Sequence, residues 1–178
     1  MVAALRQGSE AGVKQLLATY HAPLLAHAFR LLADRHAAED VVQESLMRFL
    51  DHLDDLRDPT KLRSYLYRIV TNCCRDHQRR PGRREIAADS LPQQAVASTV
   101  EGAVIDRSYV SALLKELSPA HAEVVVLRYY EDMELEMIAE ILGLPVGTVK
   151  SRLHYALKRL RFLTRAATKR AGGWAHEP

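Results

Sequence analysis

Apolar residues recur at three- and four-residue steps along most of the chain, which is the pattern of amphipathic helices. In the first 80 residues this pattern predicts three helices. The first covers residues 16–32 and is bent or restarted near Pro23. The second covers 38–53. A break rich in acids and proline follows, and Ser64 is then predicted to cap a third helix that ends before Pro81.

The periodicity fades between residues 81 and 104, where Pro, Gly, Ser and Gln are frequent, so this segment is predicted to be a linker. Helical spacing returns over 105–116 and then from Pro119 to Asp132. A short helix over 134–142 should end at Gly143, because glycine adopts the left-handed backbone that closes helices. A last helix should run from Pro145 to about residue 169.

These elements predict an all-α protein with two small helical domains joined by a flexible linker. The predicted domains cover residues 8–80 and 105–170, with the linker at 81–104 and a disordered tail at 171–178. No segment shows the alternating or continuous apolar pattern of a strand. Each domain is small enough that its core supplies only modest stability.

Charge is segregated along the chain. Residues 148–170 contain eight Lys and Arg and no acid, which leaves −5 for the rest, since the whole chain carries +3. Residues 39–58 contain seven acids and two arginines. This segregation indicates that one end of the chain faces a polyanion while another surface faces a different partner.

Several classes of function find no support in the sequence. Cys73 and Cys74 are adjacent and cannot form a disulfide framework, so we expect reduced, buried thiols. The eight histidines are scattered, so neither a metal site nor any cofactor is predicted. There is no phosphate loop or serine elbow. Neither a signal core nor a long apolar run is present, so we expect a cytoplasmic protein without membrane insertion.

The strongest local signal is a helix-turn-helix in the segment IAEILGLPVGTVKSRLHYALKRL. A small residue, Ala139, stands where the two helices meet, and Gly143 follows four residues later at the tight turn. The second helix would present its N-terminal face to the major groove of DNA. The residues predicted on that exposed face are Thr148, Lys150, Ser151, Arg152, His154 and Tyr155.

The individual roles on this helix follow from the chemistry of the side chains. Lys150, Ser151, Arg152 and His154 are candidates for contacts with base edges. The candidates for phosphate contacts are Lys158, Arg159, Arg161 and Arg165. The alternative is an ordinary helical hairpin with a solvated basic face. The glycine at the turn between the helices and the cations without nearby acids favour DNA binding over that alternative.

The segment SPAHAEVVVLRYYEDMELEMIAEILGLPVGTVKSRLHYALKRLR resembles region 4 of extracytoplasmic-function (ECF) sigma factors of the sigma-70 family, which reads the −35 promoter element. Its helix-turn-helix is also similar to the DNA-binding modules of response regulators. The N-terminal half of the sequence distinguishes an ECF sigma factor from a response regulator. Its stretches AEDVVQESLMRFL and SYLYRIVTNCCRDHQRR resemble region 2 of the same sigma factors.

The resemblance implies a bipartite promoter-recognition subunit. Asp40, Gln43, Glu44 and Arg48 would dock on the clamp helices of the largest subunit of core RNA polymerase, and region 4 would lie on the flap. The −10 element would be recognised and melted by Leu62, Arg63, Tyr65, Arg68, Asn72, Arg75, Arg79 and Arg80. An anti-sigma factor is a further implied partner. The chain departs from the family in carrying Leu56, Leu62 and Tyr65 where Phe or Trp is common, which puts aromatic stacking in doubt.

The sequence argues against two other classes of protein. A self-contained helix-turn-helix regulator would need a receiver or ligand domain within residues 1–100, usually with strands, and no strand pattern occurs there. An enzyme has no supporting motif. The sequence therefore favours a sigma factor that is not itself an enzyme.

Overall fold

A computed structural model describes the backbone of residues 1–79 and 107–172, and side chains over 1–79 and 110–165. Every regular element in these ranges is helical, which agrees with the predicted all-α class. The N-terminal half (residues 1–79) contains α1 (Val2–Arg6), α2 (Glu10–Leu32), α3 (Arg35–Asp51) and α4 (Leu62–Arg79). The C-terminal half (residues 107–172) contains α5 (Arg107–Lys115), α6 (Pro119–Tyr129), α7 (Leu135–Leu142) and α8 (Val146–Gly172). The predicted linker at 81–104 lies outside the described residues.

In the N-terminal half, α2, α3 and α4 pack on one another around a core of aliphatic and aromatic side chains. Leu16, Val42, Phe49 and Val70 are fully buried there. Pro23 lies inside α2, which runs through it without a break, so the predicted restart is wrong. Pro23 is on the exposed side of the helix, where water can solvate the carbonyl that its missing N–H leaves free.

The start of α4 also differs from the prediction. Ser64 does not cap the helix, because α4 already begins at Leu62, directly after a short 3-10 turn at Pro59–Lys61. Asp58 caps that turn by accepting a hydrogen bond from the Thr60 backbone N–H at 2.9 Å. Hydrogen bonds from the Thr60 side chain and backbone lower the pKa of Asp58. Ser64 instead donates to the Lys61 carbonyl at 3.0 Å, inside the first turn of the helix.

The C-terminal half is built around α6, which packs on both α7 and α8. Six consecutive residues of α6, Ala122 to Leu127, are buried, so this helix is covered on all sides. The helix ends at Tyr129, three residues before the predicted Asp132. Helix α8 extends to Gly172, two residues into the tail that was predicted to be disordered.

The two halves pack against each other through apolar and polar contacts, and buried apolar residues of both halves belong to one continuous cluster. Helix α6 lies on α2, and α7 lies on α4. At the centre is Glu131, which follows α6 and is only 7% exposed. Its carboxylate accepts a 2.6 Å hydrogen bond from the Tyr67 hydroxyl and a 3.1 Å bond from the Arg30 guanidinium. Glu131 therefore joins the C-terminal half to both α2 and α4.

Two further groups complete the surroundings of Glu131. His27 is fully buried, its Nε2 lies 3.1 Å from the Thr71 hydroxyl, and its Nδ1 lies 3.5 Å from a Glu131 carboxylate oxygen. The Nδ1 atom makes no hydrogen bond within the described part of the chain. Arg63 donates to the Glu131 backbone carbonyl. Burial alone would raise the pKa of Glu131, but its interactions with His27, Tyr67 and Arg30 hold that pKa below its ordinary value of 4.5.

The depressed pKa of Glu131 predicts how the stability of the packed chain responds to pH. A carboxyl group with a lowered pKa contributes stability above its unfolded pKa, and this contribution disappears as the pH falls through the folded value. We expect Glu131→Gln to lower the free energy of unfolding by about 2 kcal/mol at pH 7, as for hydrogen bonds to a charged group. This difference should shrink toward pH 3. Urea denaturation at both pH values measures it, and the exposed Glu136→Gln is the control. An undiminished difference at low pH would contradict the assignment.

Alanine substitutions at Gly143 and Gly147 form a matched pair that tests the turn between α7 and α8. Gly143 ends α7 with φ 66°, whereas Gly147 lies inside α8, and a Cβ at either position would meet nothing within 4 Å. Gly143→Ala should therefore destabilise the chain by about 1–2 kcal/mol through backbone strain alone. Gly147→Ala should stabilise it by up to about 1 kcal/mol, because alanine favours helix. Chemical denaturation should give opposite signs for the two variants, and equal signs would rule out the strained turn.

Candidate nucleic-acid interface

Helices α7 and α8 form the predicted helix-turn-helix. Gly143 adopts the left-handed conformation, and the Leu144 N–H donates to the Ala139 carbonyl at 3.0 Å, which closes the end of α7. Ile138, Ile141 and Val149 are buried between the helices and α6. These contacts fix the direction of α8, so that one side of its first turns faces away from the protein.

The outer side of α8 carries most of the residues predicted to read DNA. Lys150, Ser151, His154, Tyr155 and Lys158 are exposed there. The ring of His154 lies edge-on to that of Tyr155, with 5.6 Å between their centres.

Three other residues predicted on this helix are either less exposed or close to an acidic side chain. Thr148 and Arg152 are half-buried, and the Thr148 carbonyl accepts a 2.9 Å bond from Ser151. Arg159 lies 3.8 Å from Glu116 of the loop after α5.

The positive charge of α8 is largely uncompensated. Within the residues that the structure describes, no ion pair involves five of its cations: Lys150, Lys158, Arg152, Arg161 and Arg165. Unpaired cations along one helix provide the sequence-independent attraction on which DNA binding depends. A merely solvated helix surface more often carries both signs of charge.

The residues predicted to contact the −10 element lie along α4, but they differ in how exposed their side chains are. Leu62 is only 3% exposed and belongs to the core, so its side chain cannot contact DNA in this structure. Tyr65 is half-buried and the Arg68 guanidinium stacks over its ring at 4.8 Å. Arg63, Asn72 and Arg79 are exposed. Arg80 lies outside the described residues.

A pocket of about 190 Å³ opens beside the start of α4. It is lined mainly by the loop before that helix and by the first two turns of the helix. The lining residues are Asp55, Leu56, Arg57, Asp58, Lys61, Ser64, Tyr65, Arg68 and Glu140. It lies beside residues that the resemblance assigns to recognition of the −10 element, except that Glu140 comes from α7 of the C-terminal half.

Two of the predicted −10 residues are bound by the C-terminal half. Arg75 contacts both carboxylate oxygens of Glu123, from its Nε at 2.6 Å and its Nη2 at 2.7 Å. The remaining Nη1 of Arg75 donates to the Asn72 side chain at 3.2 Å. Arg63 is held by the Glu131 carbonyl. The bond with Glu123 raises the pKa of Arg75.

Sequence reasoning missed the acidic partners Glu123, Glu131 and Glu140. One signal was available for Glu123, because it precedes the run Val124–Leu127, and such a run indicates a helix buried on every side. A carboxylate inside that helix needs a cationic partner from elsewhere in the fold. Nothing in the sequence identified Arg75 as that partner.

The residues predicted to dock on polymerase share the outer face of α3. Asp40, Gln43 and Arg48 are exposed, and Arg48 pairs with the half-buried Glu44 at 2.6 Å. Met47 is 59% exposed beside them. This face therefore combines charged side chains with an accessible apolar residue.

Among the described residues, no helix is both long and apolar enough to cross a membrane. No group of His, Cys, Asp and Glu side chains in those same ranges could hold a metal ion. Cys73 and Cys74 are buried as free thiols, and burial raises the pKa of Cys74.

Comparisons with known proteins cover both halves of the chain. Residues 16–84 match the family model for Sigma-70 region 2, and residues 113–161 match that for Sigma-70, region 4. The chain is 35% identical over 159 residues to the ECF RNA polymerase sigma factor SigL of Mycobacterium tuberculosis, covering 86% of this chain and 89% of SigL.

Two solved structures share the arrangement of the helices. One is CnrH in complex with the cytosolic domain of CnrY, with a TM-score of 0.70, 26% identity and coverage of 93% of this chain and 95% of CnrH. The other is the sigma factor RpoE in complex with the anti-sigma factor NepR from Bartonella quintana, with a TM-score of 0.70, 28% identity and coverage of 86% and 97%. With both sigma regions matched along one chain, this protein belongs to the sigma-70 family, as an ECF RNA polymerase sigma factor.

Proposed function

We propose that α8 reads the −35 element while the start of α4 recognises and opens the −10 element of the same promoter. The observation that carries this proposal is the uncompensated basic face of α8 on a helix-turn-helix. Lys150, Ser151 and His154 are exposed near the N-terminus of that helix and Arg152 is half-buried beside them, so these four are proposed to contact base edges. Lys158, Arg161 and Arg165 follow toward its C-terminus and would bind phosphates.

The pocket at the start of α4 supports the second half of the proposal. Tyr65 offers a ring and Arg68 a guanidinium, and both groups can stack on a base. Asp58 and Ser64 supply polar atoms that can hydrogen-bond to base edges. Recognition of a melted base would therefore combine a single aromatic face with polar contacts.

The outer face of α3 is the proposed docking site for core polymerase. Asp40, Gln43, Glu44 and Arg48 provide directional polar contacts, and Met47 provides adaptable apolar contact. Catalysis of RNA synthesis then belongs entirely to the core enzyme, and the chain would act in the cytoplasm where that enzyme works. Because two modest DNA contacts share one polymerase-bound chain, their combined affinity exceeds that of either alone.

An anti-sigma factor is the proposed regulatory partner. The two structural neighbours were solved with CnrY and with the anti-sigma factor NepR. This chain shares their arrangement of helices over most of its length, which supports a partner of the same kind. Its identity would be established by capture with the purified chain and confirmed by inhibition of transcription.

Promoter-specific transcription tests the proposed function directly. The purified chain, mixed with bacterial core RNA polymerase and a genomic fragment library, should direct transcripts that start downstream of one shared two-part motif. The core enzyme alone is the control. Binding of an operator by the chain alone, with no effect on core polymerase, would instead support a self-contained regulator.

The role of α8 is tested by Lys150→Ala combined with Arg152→Ala. We expect binding to −35 duplexes and transcription from −35-dependent promoters to fall about tenfold or more, since a specific base contact contributes about 1–3 kcal/mol. Lys14→Ala combined with Lys115→Ala removes the same charge at exposed sites on α2 and α5 and should have little effect. Equal losses in both double variants would mean that only net charge matters.

A further inference from the structure

The loop between α3 and α4 (residues 52–61, the −10 loop below) supplies several of the groups that line the pocket. It is built from two short 3-10 turns, Leu53–Asp55 and Pro59–Lys61. Such turns make poorer hydrogen bonds than an α-helix, so the shape of this loop depends on contacts with its neighbours. At the end nearer α4, Asp58 caps the second turn, and Ser64 donates to the Lys61 carbonyl.

At the end nearer α3, the −10 loop is held through Leu56. This residue is only 3% exposed, and a carbonyl in so buried a position costs free energy unless a donor reaches it. The donor is Arg6 of α1, whose Nη2 group donates to the Leu56 carbonyl. Arg6 therefore fixes a backbone atom between Asp55 and Arg57, and both of these residues line the pocket.

Helix α1 is itself held firmly. It packs against both α2 and the first 3-10 turn of the −10 loop, with Val2 and Leu5 buried. The Ser9 N–H donates to the Ala4 carbonyl at 3.0 Å, which closes the end of α1. Gly12 of α2 is buried, and a Cβ there would lie only 2.9 Å from the Leu5 backbone nitrogen. Glycine thus lets α1 lie directly on α2, and α1 can act as a rigid support.

The support lies outside the part of the chain that matches Sigma-70 region 2. That match begins at residue 16, whereas α1 spans Val2–Arg6. The contact between Arg6 and Leu56 is also confined to the N-terminal half, so it does not involve α5 to α8.

We propose that Arg6 is a positioning residue for the −10 pocket. By holding the Leu56 carbonyl, it keeps the pocket-lining groups of the −10 loop in the geometry that an entering base requires. Recognition of this kind depends on supporting contacts that fix the groups to within about 0.5 Å. The inference rests on the proposed −10 role of this loop and the start of α4. It adds a support from a separate helix, and Arg6 acts through the loop without touching a base.

A positioning role has a consequence that other roles of Arg6 would not have. If Arg6 only stabilised the fold, its loss would lower the active fraction of the chain on every promoter alike. If it only bound a phosphate, its loss would weaken binding about uniformly across sequences. Loss of positioning instead lowers the discrimination between one base and another. The ratio of transcription from a cognate promoter to that from promoters with one −10 base changed therefore isolates positioning.

The test uses holoenzyme assembled from core polymerase and the full-length chain. Its templates are a promoter recovered from the fragment library and versions of it with single −10 bases changed. Wild-type holoenzyme should prefer the cognate promoter about tenfold or more, as for a typical mismatched base pair. Arg6→Met removes the donors while keeping an apolar side chain, and it should lower this preference about threefold, as for one lost hydrogen bond.

Two further variants control for charge and for the donor. Lys14→Ala removes the same charge at an exposed site on α2 and should keep the wild-type preference. Arg6→Lys should recover part of the preference lost in Arg6→Met, because an ammonium can donate to the same carbonyl. Unchanged preference in Arg6→Met would overturn the inference. So would an equal loss of transcription from every promoter with the ratio intact.

Gly12→Ala tests the support without changing Arg6. The added Cβ would meet the backbone of α1, so α1 must shift and the −10 preference should fall. Alanine otherwise favours helix, so this loss would run against its intrinsic effect on α2. Gly12→Ala combined with Arg6→Met should lower the preference no further than Arg6→Met alone, since both act through one contact. Losses that add independently would contradict a single support.

The wild-type chain separates failure of this inference from failure of the proposed function. If wild-type holoenzyme discriminates between −10 bases and Arg6→Met discriminates equally well, only the role of Arg6 is wrong. If wild-type holoenzyme shows no preference at any −10 base, the proposed −10 role fails, and the inference fails with it.

Discussion

The arrangement of the two halves depends on one buried carboxylate. Glu131 leaves the end of α6 and enters the N-terminal half, where Tyr67, Arg30 and His27 surround it. A carboxylate at this depth is tolerated only when hydrogen bonds and a cation replace its lost hydration. The groups that satisfy it come from α2 and α4, so burial of Glu131 requires that both helices meet α6. This requirement specifies one arrangement of the two halves, which apolar contacts alone would not do.

The same requirement connects the fold to promoter recognition. In the proposed function the chain presents two DNA-reading surfaces, and Arg63 and Arg75 of the −10 surface are bound by the C-terminal half. The contact combines buried apolar residues with ion pairs, and the ion pairs themselves contribute only a small difference between attraction and desolvation.

The sequence predicted the helical class and the helix-turn-helix because those features follow from local rules. Periodicity located all the longer helices, and Gly143 marked the turn through its backbone freedom. The prediction at Ser64 was wrong because the Asp58-Pro59 pair starts a 3-10 turn before that residue. Asp58 and Ser64 are both suitable cap residues, and the spacing of apolar residues does not determine which of them caps the structure. Arg75 and Glu123 lie far apart in sequence, so their pairing depends on how the halves pack. Leu62 was misplaced for a similar reason, since burial is a property of the assembled core.

Glu131 should help hold the two halves of the free chain together through its hydrogen bonds to Tyr67 and Arg30. Energy transfer between dyes on two exposed sites, residue 10 in α2 and residue 136 in α7, measures this most directly. We expect efficient transfer in the free wild-type chain and lower transfer in free Glu131→Gln, because the substitution weakens the contact between the halves. Equal transfer efficiency in the wild-type chain and in Glu131→Gln would contradict this role of Glu131.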